Sequence, residues 1–278
     1  MIYRKIDYFL PFVKDAFPLE KVPLVQCITN VVTIESVANA LLYIDAKPFM
    51  GDDPRGFPEF FQQNDSLFLN LGHISADREK AILSAALIAL ETKTPDVVDL
   101  VGVAGSKYRL KLARQLFELR PTVIKGNLSE MRAFCGLTSA ARGVDVSIED
   151  TNESAINDLV QAMTQINHSH PESLLLATGQ RDLIVSDGKA IFLENGTSQL
   201  DRFTGTGDIV GALVTALLGA GTPALKATIA AISYFNLGAE KAQKTTIGLA
   251  NFRNETLNQL SLLMNQPNWY GEIRGGTL

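Results

Sequence analysis

The chain has 278 residues, of which 46% are apolar and 20% are charged, and it carries a net charge of −5. These values are typical of a globular protein with a large core, and the scattered lysines and arginines exclude a nucleic-acid-binding surface. The two cysteines, Cys27 and Cys135, are too few for a disulfide framework. No polar linker, apolar leader or run of ~18 uncharged apolar residues is present, so we expect one cytoplasmic domain over residues 1–278 with no membrane partner.

Strand and helix patterns alternate along the first two thirds of the chain. Short apolar runs predict strands at residues 23–28, 46–50, 66–71, 96–100, 122–125 and 173–178. Helical spacing of apolar residues predicts helices at residues 3–16, 33–43, 76–92, 107–119, 127–135 and about 152–166. The run at 173–178 is almost wholly apolar, which indicates a strand that is covered on both faces and lies near the centre of its sheet.

The last third of the chain departs from this alternation. Asp187-Gly188 separates two short apolar runs, 182–186 and 189–193, and predicts an antiparallel hairpin at the edge of the sheet. Residues 209–264 predict three helices, and the tail from Tyr270 to Leu278 is expected to be mobile. The whole pattern predicts an α/β fold with a mainly parallel central sheet, helices on both faces, and ligands at the carboxyl ends of the strands.

A glycine-rich turn with the sequence FTGTGD, residues 203–208, leads directly into the first of these three helices. Gly205 and Gly207 would let the backbone approach a ligand closely, and the first helical turn offers unpaired N–H groups and a positive dipole end. The turn therefore predicts an anion hole. Asp208 beside it has two interpretations, a helix cap or a base that accepts the proton of an attacking hydroxyl, and this string alone favours the cap.

Polar residues also cluster where the predicted strands end, and in a parallel sheet these ends share one edge. They are Asn30, Gly72 with His73, Asp99, Lys125-Gly126-Asn127, and Thr178 with Gly179. Several polar side chains could therefore face one crevice.

The stretch from Lys125 to Glu130 allows two roles. Asn127 can cap the following helix with Glu130 three residues on, and the residues alone favour this capping pair. Alternatively, Lys125 meets a phosphate and Glu130 holds a Mg²⁺-bound water. Thr178 with Gly179 can likewise be a simple turn or a contact for phosphate oxygens. Neither GxxxxGK[ST] nor a strand-linked GxGxxG is present, so a P-loop NTPase and a dinucleotide-binding Rossmann domain are not supported.

Six short strings, spread over residues 20–245, occur in an order that matches one known family. They are PLVQCITN at 23–30, FMGDDP at 49–54, LNLGH at 69–73, DLVGVAGSKYR at 99–109, VIKGNLSE at 123–130 and TGTGD at 204–208. Together they resemble the hydroxyethylthiazole kinases, which are ribokinase-like kinases of thiamine salvage. A match over six segments is far more specific than one glycine-rich string.

The resemblance implies a role for each matching position. Substrate contacts are implied for Asn30, Met50, Gly72, His73 and Gly205. ATP contacts are implied for Lys125, Thr178 and Asn127, and a Mg²⁺ site for Asp99 and for Glu130, the latter through water. The catalytic centre would be Gly205-Thr206-Gly207 with Asp208 as the base. The family also implies ATP as co-substrate and a homotrimer with sites between its subunits.

Four positions depart from the family's pattern. Asp208 stands where these thiazole kinases usually have Cys, and Asp is the base that the wider ribokinase-like group uses. Lys125 replaces an Arg, which keeps the charge but loses the planar bidentate fork. Leu100 replaces a Pro, and His73 replaces a Thr next to the implied substrate. The first departure favours phosphoryl transfer, and the last leaves the exact alcohol open.

These residues and the resemblance predict an ATP-dependent kinase that phosphorylates the primary alcohol of 4-methyl-5-(2-hydroxyethyl)thiazole. Two alternatives share the fold, a nucleotide-dependent dehydratase of hydrated NAD(P)H and a catalytically silent binding protein. The substrate-side strings favour the kinase over the dehydratase. Asp208, Asn127 and Glu130 are retained, which argues against a silent protein.

Overall fold

The structure is a computed structural model that describes residues 1–138 and 152–278. Its strands are β1 (Ile2–Tyr3), β2 (Leu24–Ile28), β3 (Lys47–Phe49), β4 (Ser66–Asn70), β5 (Asp96–Asp99), β6 (Val123–Asn127), β7 (Leu174–Thr178), β8 (Asp182–Ser186), β9 (Lys189–Leu193) and β10 (Gly275–Thr277). Its α-helices are α1 (Ile6–Val13), α2 (Ile34–Leu42), α3 (Phe57–Phe60), α4 (Ala76–Thr92), α5 (Lys107–Phe117), α6 (Leu128–Phe134), α7 (Glu153–Ser169), α8 (Thr206–Gly219), α9 (Ala224–Thr245) and α10 (Leu249–Met264). In this described part of the chain, no helix has both the length and the apolar character that crossing a membrane requires.

The strands form one sheet in the order β1-β10-β9-β8-β7-β6-β5-β4-β2-β3. The strands from β2 to β7 pair in parallel, and β8, β9, β10 and β1 continue the sheet in antiparallel pairs. The predicted α/β fold with a mainly parallel sheet is therefore confirmed, and β7 lies near the centre as its apolar sequence predicts.

Successive residues of the central strands face opposite sides of this sheet. Val97 packs in a core with residues of α2, α8 and α9, whereas its neighbour Val98 packs in a second core with residues of α4, α5 and α7. The four residues Leu174 to Ala177 alternate between the two cores in the same way, and all are buried. Because helices cover both faces, apolar residues can occupy consecutive positions of a strand, as they do from Leu174 to Ala177, instead of every second position.

The predicted helices and strands are present, with ends that shift by no more than three residues. The hairpin of β8 and β9 turns at Asp187 and Gly188, both of which have a positive φ as such a turn requires. The helix after the glycine-rich turn begins at Thr206 and not at Ile209, so the second half of that turn is already helical.

Two expectations about the end of the chain are wrong. The hairpin is not the edge of the sheet, because β10 pairs with β9 and β1 pairs with β10. The tail from Tyr270 to Leu278 is not free, since Ile273 is buried and the last residues form β10. The physical reason is that Gly275-Gly276-Thr277 lacks an apolar alternation, and its pairing partners lie far away in the sequence.

The carboxyl ends of the parallel strands bring the predicted site residues to one edge of the sheet. Asn30 follows β2, Gly72 follows β4, Asp99 ends β5, Asn127 ends β6 and Thr178 ends β7. Helix α8 packs across β2, β4, β5 and β6, and it begins at this same edge. The fold therefore assembles the candidate site from six separate segments of the chain.

Candidate active site

The glycine-rich turn forms the start of α8. Gly205 has a φ of 100° and a ψ of 4°, a left-handed conformation that favours glycine. A Cβ at this position would lie only 2.7 Å from Cγ2 of Thr33, so the space beside the turn is closed as well. The Gly205 carbonyl accepts the N–H of Ile209 at 2.9 Å and closes the first helical turn. Residues 206–208 therefore occupy the turn in which backbone N–H groups lack partners within the helix and attract anions.

Asp208 is buried in this first turn, and its carboxylate accepts three hydrogen bonds from side chains. Oδ2 accepts from Nδ2 of Asn30 at 2.7 Å and from the hydroxyl of Thr33, and Oδ1 accepts from Nδ2 of Asn70 at 3.0 Å. The cap position of α8 belongs to Gly205, which has no side chain to bond a backbone N–H. The interpretation of Asp208 as the helix cap is therefore wrong.

Backbone donors fix the orientation of the two asparagine amides. Oδ1 of Asn30 accepts the N–H groups of Val32 at 3.0 Å and Thr33 at 3.2 Å. Oδ1 of Asn70 accepts the N–H of Gly72 at 2.7 Å. Because each amide oxygen is engaged as an acceptor, each NH₂ group must face the carboxylate. The loop after β2 and the end of β4 thus present donors, not acceptors, to the buried acid.

The five residues with an implied substrate contact lie at this edge of the sheet. The side chain of Asn30 bonds the Asp208 carboxylate. A Cβ at Gly205 would lie 2.7 Å from Cγ2 of Thr33, and a Cβ at Gly72 would lie 3.1 Å from Nδ2 of Asn30. Met50 is half-buried in the loop after β3, and His73 is exposed after β4. The structure thus joins Asn30, Gly72 and Gly205 to the surroundings of the carboxylate, with Met50 and His73 in the bordering loops.

A buried ion pair lies beside the same turn. Nζ of Lys125 is 2.8 Å from Oδ2 of Asp99, and the two side chains are 3% and 1% exposed. Within the described residues, Oδ1 of Asp99 is buried without a hydrogen-bond partner. A Cβ at Gly207 would lie 3.2 Å from Nζ, so the ammonium group reaches the glycine-rich turn. Lys125 and Asp99, both predicted for the site, are therefore adjacent to the glycine-rich turn.

The buried charges change each other's pKa values. Burial raises the pKa of Asp99 to about 6, although Lys125 opposes the rise, and Asp208 adds to it. Burial alone would lower the pKa of Lys125, but the carboxylates of Asp99, Glu130 and Asp208 outweigh burial and raise that pKa. Lys125 is thus a cation held among carboxylates at neutral pH.

Glu130 and Asn127 form a capping box at the start of α6. Oδ1 of Asn127 accepts the N–H of Glu130, and Oε2 of Glu130 accepts the N–H of Asn127, both at 2.8 Å. The remaining oxygen, Oε1, accepts the N–H of Gly102 at 2.7 Å. Burial raises the pKa of Glu130 to about 7, and the charge of Asp99 adds to the rise. The capping pair favoured by the sequence is confirmed, and it fixes the Glu130 carboxylate beside the ion pair.

The acidic residues fit a magnesium ion that keeps most of its water. Mg²⁺ prefers oxygen ligands and is usually held by one or two carboxylates together with substrate phosphates. Asp99 offers a buried carboxylate oxygen without a partner, and Glu130 offers a second carboxylate nearby. Among residues 1–138 and 152–278, no group of three or more His, Cys, Asp or Glu side chains is arranged to hold a metal ion. The residues therefore suit a water-rich ion and not a cage built by the protein alone.

The turn after β7 is held in place by Asp182. Its Oδ1 accepts the N–H of Gly179 at 3.0 Å, and its Oδ2 accepts from Nδ2 of Asn236 in α9 at 3.0 Å. Burial raises the pKa of Asp182 to about 7. The hydroxyl of Thr178 donates to the carbonyl of Gly126 at 3.4 Å, which joins the ends of β6 and β7. Thr178, predicted as a phosphate contact, thus lies in a turn that is anchored from both sides.

Three residues of this region are absent from the sequence-based list, namely Thr33, Asn70 and Asp182. Asn70 precedes Leu71 and Gly72 at the end of a strand, so the strand-end argument could have found it. Thr33 reads as an ordinary residue at a helix start, and Asp182 as the first residue of a hairpin strand. Their partners lie up to 175 residues away, and no local pattern encodes such a contact.

Comparison with known proteins identifies close relatives. A family model described as "Hydroxyethylthiazole kinase family" matches residues 19–266. A protein of Enterococcus faecalis named hydroxyethylthiazole kinase is 54% identical over 262 residues, which cover 94% of this chain and 96% of that protein. The solved structure of a hydroxyethylthiazole kinase protein from Pyrococcus horikoshii has a TM-score of 0.82 and 28% identity, with coverage of 98% and 99%. A ribokinase-like superfamily protein of Enterococcus faecalis, with a TM-score of 0.64 and 12% identity over 96% of both chains, shares the fold.

Proposed function

This chain belongs to the hydroxyethylthiazole kinase family and is a kinase, and on that premise we propose that it transfers phosphate from ATP to 4-methyl-5-(2-hydroxyethyl)thiazole. The acceptor is the primary alcohol, and the reaction belongs to thiamine salvage. The observation that carries the proposal is the buried Asp208 carboxylate, which three neutral donors hold in the first turn of α8. An acceptor beside an anion hole is the arrangement that phosphoryl transfer to an alcohol needs.

In the proposed reaction, the alcohol oxygen forms a bond to the γ-phosphorus while the bond to the bridging oxygen breaks and ADP leaves. The alcohol proton passes to the Asp208 carboxylate. Backbone N–H groups between Gly205 and Asp208 donate to the oxygens of the transferred group and stabilise its charge. Most of the acceleration comes from positioning and electrostatics, because the chemistry needs no covalent intermediate with the protein.

The nucleotide side of the site consists of the buried ion pair and the strand ends beside it. Asp99 and Glu130 are the residues that would hold Mg²⁺, which when bound would neutralise phosphate charge. We propose that the positive charge of Lys125 stabilises the phosphates across the glycine-rich turn, which its ammonium group approaches at Gly207. Thr178 and Asn127, on the adjacent strand ends, complete the proposed ATP contacts.

The proposed assembly is a homotrimer whose sites lie between subunits, as the family resemblance implies. Exposed apolar side chains at the rim of the site support it. Val31 and Val32 are 51% and 73% exposed between Asn30 and Thr33, and Ile247 is 91% exposed just before α10. Arg253 of α10 donates to Ser36 of α2 at 2.9 Å, so the two segments are neighbours. Such a patch beside a site is typical of a subunit interface, and the proposed location of the assembly is the cytoplasm.

Family membership does not favour either alternative function. A dehydratase of hydrated NAD(P)H would act on a nucleotide substrate, whereas the relatives that match nearly the full chain are named thiazole kinases. A silent binding protein would have no need of a carboxylate held by three donors beside an anion hole. The intact arrangement around Asp208 therefore supports an active phosphotransferase.

The proposal is tested by incubating the purified protein with Mg·ATP and a panel of thiazole, pyrimidine and sugar alcohols while ADP is followed. We expect ADP release that depends on the thiazole alcohol. ADP release that depends only on a different alcohol would show that the proposed substrate is wrong and would still support a kinase. Nucleotide binding without turnover of any alcohol would contradict the proposal.

A further inference from the structure

Thr33 uses each of its polar groups at a different point of the candidate site. Its N–H donates to Oδ1 of Asn30 at 3.2 Å, and its carbonyl accepts the N–H of Val37 at 2.9 Å in the first turn of α2. Its hydroxyl donates to Oδ2 of Asp208, and its methyl group occupies the space that a Cβ at Gly205 would need. The residue is 2% exposed, so these contacts are made away from solvent.

The hydroxyl of Thr33 does not make the capping hydrogen bond that is usual for a threonine at its position. Thr33 is the cap residue of α2, where a threonine hydroxyl usually accepts a backbone N–H from the first turn. Here it makes no such bond, and α2 begins without a side-chain cap. The hydroxyl instead donates to a carboxylate 175 residues further along the chain. The hydroxyl thus bonds the Asp208 carboxylate and does not stabilise the start of α2.

The pattern of donors distinguishes the two oxygens of Asp208. A carboxylate has about two lone-pair positions on each oxygen. Both positions on Oδ2 are engaged, one by Asn30 and one by Thr33, whereas among residues 1–138 and 152–278 Oδ1 accepts only from Asn70. The remaining open position lies on Oδ1.

We propose that Thr33 is a positioning residue which, by engaging Oδ2 of Asp208 together with Asn30, leaves Oδ1 as the atom that accepts the alcohol proton. The inference rests on the proposed function, because it needs Asp208 to act as the base. The proton passes from the alcohol oxygen to the open lone pair of Oδ1. At the same time the alcohol oxygen forms its bond to the γ-phosphorus, and the bond between that phosphorus and the leaving ADP breaks. Oδ2 keeps both donors before and after the transfer, since they require only an acceptor, and the carboxylate therefore does not rotate.

Two substitutions separate the hydroxyl of Thr33 from its methyl group. Thr33→Val keeps the shape and the contact with Gly205 but removes the donor, whereas Thr33→Ser keeps the donor and removes the methyl group. Thr215→Val is the matched control, because Thr215 is also fully buried and its hydroxyl donates at 2.7 Å to Gly211 within α8, away from the carboxylate.

The test measures kcat and KM for the thiazole alcohol and for ATP in these variants. We expect Thr33→Val to lower kcat roughly 10- to 100-fold with both KM values within about twofold, because a misplaced catalytic group costs rate and not binding. Thr33→Ser and Thr215→Val should keep kcat within about threefold. Equal losses in Thr33→Val and Thr33→Ser, or a change confined to KM, would overturn the proposal.

Crystal structures of the wild-type protein and Thr33→Val give a second readout that does not depend on the substrate. We expect the Asp208 carboxylate to turn in Thr33→Val, so that Oδ2 leaves its wild-type position while Gly205 and α8 stay in place. An unmoved carboxylate together with an unchanged kcat would refute the role of Thr33. A wild-type protein that phosphorylates no alcohol while the carboxylate does turn would refute the proposed function and leave the positioning contact supported.

Discussion

At the scale of single residues, the Asp208 carboxylate is fixed by donors that come from distant parts of the chain. Asn30, Thr33 and Asn70 precede it by 178, 175 and 138 residues. Two of these donors are themselves oriented by backbone N–H groups. Such an acceptor is in place without a ligand, so the proposed proton transfer would need little reorganisation.

Gly205 is the residue at which the turn is least tolerant of a side chain. We predict that Gly205→Ala lowers kcat at least tenfold, because a Cβ would collide with Cγ2 of Thr33 at 2.7 Å and shift the donor of Asp208. The positive φ adds a stability cost of about 1 kcal/mol. Steady-state kinetics and thermal unfolding measure the two effects separately.

Gly221→Ala is the matched control for this prediction. Gly221 has a φ of 93°, and within the described part of the chain a Cβ there would have no heavy atom within 4 Å apart from those of its two chain neighbours. The control should therefore lose a similar amount of stability and keep its kcat. If Gly205→Ala and Gly221→Ala have the same activity, the contact between Gly205 and Thr33 has no catalytic importance.

Asp182 makes the stability of the protein depend on pH in the direction opposite to that of a salt-bridged carboxylate. Burial raises its pKa from 3.8 to about 7. The folded protein therefore binds this proton more tightly, and the stability it contributes is full below pH 3.8 and is lost as the pH rises through about 7. The slope from this one group is at most about 1.4 kcal/mol per pH unit.

We predict that Asp182→Asn removes this part of the pH dependence. Urea unfolding between pH 4 and 8 should show the wild-type protein losing free energy of unfolding relative to Asp182→Asn as the pH rises, because the variant has no carboxyl group to ionise at this position. Asp158→Asn, which alters an exposed carboxylate on α7, should run parallel to the wild-type protein throughout. Parallel curves for Asp182→Asn would mean that the buried carboxyl group does not titrate in this range.

At the scale of secondary structure, elements with a local pattern are predictable and those without one are not. Helix α4 matches its predicted bounds at both ends, with Ser75 as a cap that accepts the N–H of Arg78. The strands of the hairpin also match, because Asp187-Gly188 specifies the turn. Strands β1 and β10 are too short to carry an alternation and exist only through pairing with each other and with β9.

The terminal strand β10 requires glycine because neighbouring backbones approach it closely. A Cβ at Gly276 would lie 2.1 Å from the carbonyl oxygen of Ile2 in β1. We predict that Gly276→Ala lowers the free energy of unfolding by about 1 to 3 kcal/mol, the usual cost of overpacking. A lower Tm in calorimetry is the expected result.

Gly271→Ala provides the comparison for this substitution. Gly271 precedes β10, and the nearest atom to a Cβ there, the carbonyl oxygen of Asn268, is at an ordinary contact distance of 3.4 Å. Its Tm should remain close to that of the wild-type protein. Equal Tm values for the two variants would show that the pairing of β1 with β10 adds nothing to stability.

At the scale of the whole molecule, the parallel sheet explains why the sequence could place most of the candidate site. Residues at the carboxyl ends of parallel strands meet at one edge, so Asn30, Gly72, Asp99 and Lys125 could be grouped before any contact was known. What could not be predicted is which of these groups bond each other. Lys125 pairs with Asp99, and Asp208 takes its donors from the loop after β2 and from the end of β4.

The change in the interpretation of Asp208 has the same origin. As a short string, a glycine-rich turn before a helix is best explained by capping, since the cap needs only neighbouring residues. The carboxylate instead accepts hydrogen bonds from donors that the sheet brings close, and the local sequence does not indicate these donors. Packing of α8 across four strands thus determines the chemistry of its first turn.

The central claim is that Asp208 accepts the proton in phosphoryl transfer to a thiazole alcohol. It is tested most directly by measuring the phosphorylated alcohol by mass spectrometry after incubation with Mg·ATP. We predict that wild-type protein and Asp201→Asn, which alters an exposed carboxylate before the turn, form the product at similar rates. Asp208→Asn should form it at least about 10²-fold more slowly while unfolding at nearly the same temperature. Product formation by Asp208→Asn at a near-normal rate would contradict the account and remove Asp208 from the mechanism.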